Sequence, residues 1–168
     1  VGTVRSDGSS QINWQVGAVA AGGTAAILGV WNAYNRISVA GFVGDNTNTW
    51  DYAGGTWHPA RSQASMRASL VYGLQEDAFE GVYRSLGMAA SGNLFVGVGY
   101  NTITAPAGQV GGSLNAVQHV SFQGSHRVQP LGFNFMQAME INVAVTATFF
   151  GDNGGTDQYS GLSYEGRF

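Results

Sequence analysis

The stretch Gly132–Gly151, GFNFMQAMEINVAVTATFFG, constrains this chain more than any other. Every second residue from Phe133 reads Phe, Phe, Gln, Met, Ile, Val, Val, Ala, Phe, with Gln137 alone interrupting an apolar face. The other register is Asn134, Met136, Ala138, Glu140, Asn142, Ala144, Thr146, Thr148 and Phe150. A period of two belongs to a β-strand with one face in a core. Unbroken, it would far exceed the usual strand of about 5–6 residues. A bend or tight turn is therefore expected near Asn142, giving two strands on one core. The opposite face is small and polar, carries one ionisable group, Glu140, and reads as a second contact surface.

The rest of the chain points the same way. Short apolar or alternating runs recur at Ile12–Val19, Ala25–Trp31, Asn35–Gly44, Met66–Tyr72, Asn93–Tyr100, Val117–Phe122 and Leu162–Phe168. Glycine-rich or polar turns separate them. Leu74–Leu86 fits a helical stripe as well as a strand, but Gly81 lies inside it. The expectation is a turn over Gly73–Asp77 and a strand over Ala78–Leu86. Asn101–Leu114 and Gly124–Pro130 read as loops. Gly97 and Gly99 mark a place where something approaches a strand closely. With eight to ten short strands and no convincing helix, the class is all-β: a β-sandwich, jelly roll or barrel. Residues 1–10 read as a linker or lead-in, and 11–168 as a single domain.

Composition limits the function. Charged residues make up 10% of the 168, well below the typical share of about 25%, and glycine is abundant at 26 residues. So few charges solvate a small surface poorly, which favours cover from another copy of the chain. A net charge of −3 supplies no basic footprint for nucleic acid. All seven cations are arginine, and there is no cysteine, which excludes disulfides. No apolar run approaches the roughly 20 residues needed to span a bilayer, so membrane insertion is not expected. Val1 does not open a signal peptide, and a fragment or processed product is the expectation.

Asp45–Pro59, DNTNTWDYAGGTWHP, is a long aromatic loop with room for a short strand near Trp50–Tyr52, and ordered loops of this length are commonly functional. Trp50, Asp51, Tyr52, Trp57 and His58 are the candidate ligand-binding residues: rings stack on sugar faces, and carboxylates and amides bind hydroxyls. The competing reading turns the tryptophans inward to plug the sandwich, or into a subunit contact. Asp152, Asn153 and Asp157 offer oxygens to calcium but lack EF-hand spacing and equally suit a turn. Glu76, Asp77, Glu80 and Glu140 are the carboxylates available for glycosidic cleavage. Of these Glu140 stands out, and Arg84 or Arg127 is expected to neutralise it, within or across subunits. His58, His119 and His126 have no zinc-site spacing. No catalytic residue, metal or cofactor is expected.

GLQEDAFEGVY (Gly73–Tyr83), GVGYNTITAPAG (Gly97–Gly108) and GFNFMQAMEINVAVTATFFGDNGGTDQYSGLSYEG (Gly132–Gly166) together resemble the C-terminal head domains of bacteriophage fibres and virion appendages. The shared features are a GL-x-ED turn, a T-x-AP loop, an LQ-x-LE-like strand at Met136–Glu140, and a TTFYGD…SGL close at Thr148–Asp152 and Ser160–Leu162. The resemblance covers roughly the C-terminal two thirds and carries no catalytic residue. It implies a jelly-roll-type antiparallel sandwich, similar to C1q and tumour-necrosis-factor heads, assembled as a homotrimer. Asn134, Met136, Glu140 and Arg84 would then lie at the trimer interface. It also implies a non-catalytic, extracellular virion-surface role beside other virion proteins, attaching to a host-surface polysaccharide. Two alternatives stay open: capsid decoration without receptor binding, and a polysaccharide hydrolase or free lectin.

Overall fold

In a computed structural model the described residues are 2–4, 14–15, 26–28, 30–34, 36–143, 145–152, 154 and 157–167. They form fifteen strands: β1 (Gly2–Val4), β2 (Trp14–Gln15), β3 (Ala26–Leu28), β4 (Val30–Asn32), β5 (Ser38–Gly44), β6 (Thr49–Tyr52), β7 (His58–Pro59), β8 (Arg67–Tyr72), β9 (Phe79–Ala89), β10 (Gly92–Tyr100), β11 (Gly108–Leu114), β12 (Gln118–Val128), β13 (Gly132–Val143), β14 (Ala147–Phe150) and β15 (Gly161–Arg167). A single 3-10 turn covers Ala60–Ser62, and no α-helix occurs among the described residues.

Two sheets face one another in a sandwich-like arrangement. The first runs β11-β10-β13-β8-β3-β2, with β7 paired to β13. The second runs β5-β15-β9-β14-β6, with β12 along the other edge of β9. Every pairing is antiparallel except β3 with β8. β9 meets β15 over its first half and β14 over its second. The strand expected over Ala78–Leu86 is present, as is the turn near Asn142: β13 ends at Val143 and β14 begins at Ala147.

That turn carries the chain from one sheet to the other, and it inverts the expected facing of β13. Met136 and Ala138, from the register read as a second surface, are fully buried in the core. They lie beside Ala68 and Val98, their directly opposed partners on β8 and β10. Phe133, on the register read as the core face, is 41% exposed. The opposing sheet explains why. Phe79, Tyr83, Phe149 and Tyr164 fill the interior from that side, so β13 answers with small or medium side chains, as close packing requires. Beyond the turn Ala147 and Phe149 point inward because β14 belongs to the other sheet. A period of two sets the spacing of a face and is silent on which face the core takes.

Three other expectations change. Gly108–Leu114 is a strand, paired residue by residue with β10, although GQVGGSL lacks alternation. β12 runs through Gly124 to Val128 instead of ending in a loop. Gly2–Val4, inside the expected lead-in, pairs with Val30–Asn32. Of the strand expected over Ile12–Val19, Trp14–Gln15 is observed and the remainder lies outside the described residues.

Candidate functional site

The chemistry expected on the outside is inside. Glu140 is fully buried between the sheets and is met by four donors from three elements. Tyr83 Oη donates to Oε1 at 2.5 Å, and Ser85 Oγ donates to the same oxygen at 3.4 Å. Trp50 Nε1 donates to Oε2 at 2.9 Å, and the Arg61 backbone N–H reaches Oε2 at 3.3 Å. Alternation along β9 aims Tyr83 and Ser85 inward together with Phe79 and Gly81. Burial raises the Glu140 carboxyl from 4.5 to about 7, against the lowering effect of the four hydrogen bonds. Tyr83 is pushed well up, first by its own burial and then by Glu140. The network continues from Ser85 to Ser160, 2.9 Å apart, and from Ser160 Oγ to the Phe150 carbonyl at 2.5 Å.

The aromatic loop is tied to this centre. On β6 the alternation sends Trp50 and Tyr52 inward against the core and Asp51 outward. Trp50 stacks on Phe149, centroids 6.3 Å apart. His58 sits directly across from Glu140 on the β7–β13 pair and packs on Tyr52 with centroids 3.5 Å apart. Its Nδ1–H donates to the Pro59 carbonyl at 2.7 Å, and burial holds its pKa below the usual value. Arg61 takes a left-handed backbone, φ 56°, which costs a non-glycine residue about 1–3 kcal/mol. Its N–H bond to Glu140 and its Nε, 2.9 Å from Asp45 Oδ2, hold it there. Asn142 Nδ2 donates to the carbonyls of Tyr52, at 2.9 Å, and Val145, fastening β6 to the β13–β14 turn.

The expected ligand-binding set therefore divides. Trp50, Tyr52 and His58 pack and hydrogen-bond at this end of the sandwich. Asp51 is exposed and accepts from Thr148 Oγ1 at 2.6 Å, and Trp57 is partly buried. The expected trimer-interface set divides too. Asn134, Met136 and Glu140 are enclosed by their own subunit, at 4%, 0% and 0% exposure, and have no surface to offer a neighbour. Arg84 is exposed on the outer side of β9, donates to Gln123 at 3.0 Å, and faces away from Glu140. Arg127 lies 3.6 Å from Glu80. Neither arginine is bonded to Glu140; its partners are uncharged donors.

His119 packs at a tilt against Phe150, and His126 against Tyr100. Asp152 is buried and bridges to Gln158, while Asn153 lies outside the described residues. Among the described residues no three acidic or histidine side chains converge as a metal site. The partners of Glu140 were missed because their signal is split: Tyr83 and Ser85 share the inward register of Phe79 and Gly81, but nothing local says that they face a carboxylate 57 and 55 residues away.

Trp50→Phe keeps a smaller aromatic ring and removes one donor to Glu140. A loss of about 1–2 kcal/mol is expected, against almost none for Asp51→Asn on the next, outward position. Thermal melts of the two variants check this alternation.

The fold and its sealed polar centre define an antiparallel β-sandwich whose most unusual carboxyl serves the interior. No protein-family model matches the chain, and no curated protein matches it significantly. The likeness to phage fibre heads thus rests on the quoted sequence motifs.

Proposed function

We propose that this chain is the non-catalytic head of a virion-surface appendage, a jelly-roll-type sandwich that assembles as a homotrimer and attaches to a host-surface glycan. The observation that carries the reading is the outer face of the first sheet. It presents Phe133 and Val143 at the two ends of β13, 41% and 39% exposed, with Phe135 and Phe95 partly exposed, while Gln137, Met139 and Ile141 between them are already buried. An apolar sheet face on so weakly charged a chain favours burial against copies of itself. On this reading the interface uses the face opposite the one that holds Met136 and Glu140. Non-catalysis fits the site, because the carboxyl best suited to acid chemistry is sealed from any sugar.

The test is native mass spectrometry of the wild type and of Phe133→Glu, with circular dichroism as the check on fold. A particle of three times 17.6 kDa that falls to a folded monomer in the variant supports the reading. A wild-type monomer overturns it. The inward packing of Trp50 and Tyr52 favours a second reading, capsid decoration without receptor binding. A trimer that adsorbs to no host cell would select it.

A further inference from the structure

The cover over Glu140 is firm on one side and light on the other. Tyr83 and Ser85 reach the carboxyl from β9, and Trp50 reaches it from β6. Residues 56–62 close the remaining side. His58 lies directly across from Glu140 on the β7–β13 pair, and the Arg61 N–H bonds Oε2 at 3.3 Å. This segment is lightly held. Its ladder to β13 is two residues long. Among its side chains only His58 and Ala60 are buried. Tyr52 Oη, at the surface, reaches the Thr56 carbonyl at 3.3 Å. Few buried contacts and exposed hydrogen bonds mark the parts of a fold that open first.

The closed arrangement also leaves needs unmet. Arg61 and Ser62 are both left-handed, φ 56° and 55°, a backbone that residues with a side chain adopt only at a cost. Two enclosed acceptors here have no partner among the described residues. One is His58 Nε2, whose ring turns its Nδ1–H to the Pro59 carbonyl. The other is Asn142 Oδ1, two positions beyond Glu140 on the same face of β13. Water satisfies such groups once the segment lifts, and an unmet buried acceptor is costly until then. Gly54 and Gly55 lie just before the segment, the second in open space, and supply a hinge. At the other end the Arg61 guanidinium anchors the chain to Asp45 at 2.9 Å.

We propose that residues 56–62 form a flap over Glu140 that lifts from β13 as pH rises through neutrality and admits water to the carboxyl. Under the closed flap Glu140 keeps its proton to about 7, whereas a solvated glutamate releases it near 4.5. Between those values the closed form binds the extra proton, so opening gains as pH rises. The other titratable and charged groups packed around Glu140 are Tyr83 on β9, His58 on β7 and Arg61, whose guanidinium is turned to Asp45. Tyr83 is pushed well up and stays protonated. His58 acts in the opposite sense, because burial holds its pKa down and lifting frees it to take a proton as pH falls.

The test is hydrogen exchange, read by mass spectrometry, on the intact wild type and on Glu140→Gln at pH 6 and pH 8. At both pH values the flap amides are expected to exchange about tenfold faster, or more, than those of β10. The wild-type rate divided by the variant's cancels intrinsic exchange and the His58 effect. For the flap this ratio should rise about tenfold from pH 6 to pH 8, the span set by proton release at 4.5 in the open form and at about 7 in the closed. A flap as well protected as β10, or a ratio constant within about twofold, overturns the proposal. Should Glu140→Gln not fold, the wild type decides alone. Its flap exchange, corrected for the intrinsic rate, must still rise between pH 6 and pH 8, and a flat or falling course overturns the flap.

Discussion

Glu140→Ala should lose about 3–5 kcal/mol of folding stability, a large share of what holds a domain of this size together. The substitution deletes the shared acceptor of Tyr83, Ser85, Trp50 and the Arg61 N–H. Tyr83 and Ser85 are fully buried and would be left without that bond in the interior, where each orphaned donor costs about 1–3 kcal/mol. The left-handed Arg61 loses one of its restraints as well. Urea melts measure the loss. Glu140→Gln keeps the shape and one good acceptor and should cost less than half as much. If Ala and Gln behave alike near wild type, the network is not a source of stability.

The same carboxyl sets a pH dependence whose sign is unusual for an acid. A glutamate in the unfolded chain releases its proton near 4.5, whereas folded Glu140 keeps it to about 7. Between those values the folded state binds the extra proton. This group's contribution is therefore complete below about pH 4.5 and is lost as pH rises through 7. The span is worth roughly 3 kcal/mol. His58 opposes it: its lowered pKa favours the folded state at higher pH and withdraws that support as pH falls. Comparison with Glu140→Gln separates the two. The wild type should lose stability relative to that variant between pH 5 and pH 8, and a constant difference across that range would mean that Glu140 does not titrate there.

Much of the architecture was legible in local pattern. Alternation marked β13, β8, β10 and most of β5, and the break near Asn142 was forced by length. What escaped depended on the partner sheet. The facing of β13 follows from the bulk of Phe79, Tyr83, Phe149 and Tyr164 opposite it, information absent from positions 132–143. Gln137, which looked like a flaw in an apolar face, lies on the outer side of its sheet. There it accepts from Arg67 at 3.0 Å and donates to the Met66 carbonyl at 3.0 Å. Trp50 and Glu140 were each singled out, but for separate roles, and their 2.9 Å bond closes 90 residues of chain. The row of Glu80, Arg127 and Glu165 was no more visible, because the three meet only through strand register.

Gly108→Ala should also lose 3 kcal/mol or more, the range in which overpacking becomes disruptive. A methyl group there would stand 1.7 Å from the Ser125 carbonyl oxygen and 2.8 Å from its carbon. That carbonyl cannot step aside, because β12 is held to β9 over eleven consecutive pairs. Nor can β11 retreat without breaking its ladder to β10. The same seam continues at Gly124, where a Cβ would lie 2.8 Å from the Gly97 Cα. The two sheets thus touch backbone to backbone along this edge, and glycine is what permits the contact. The close approach inferred at Gly97 is real, but it closes one subunit's own sandwich. Gly55→Ala is the control, with open space around it, and should stay within about 0.5 kcal/mol of wild type. Thermal and urea melts of Gly108→Ala, Gly124→Ala and Gly55→Ala decide the matter. If all three unfold together with the wild type, the seam is open in solution and the glycines there answer to something other than packing.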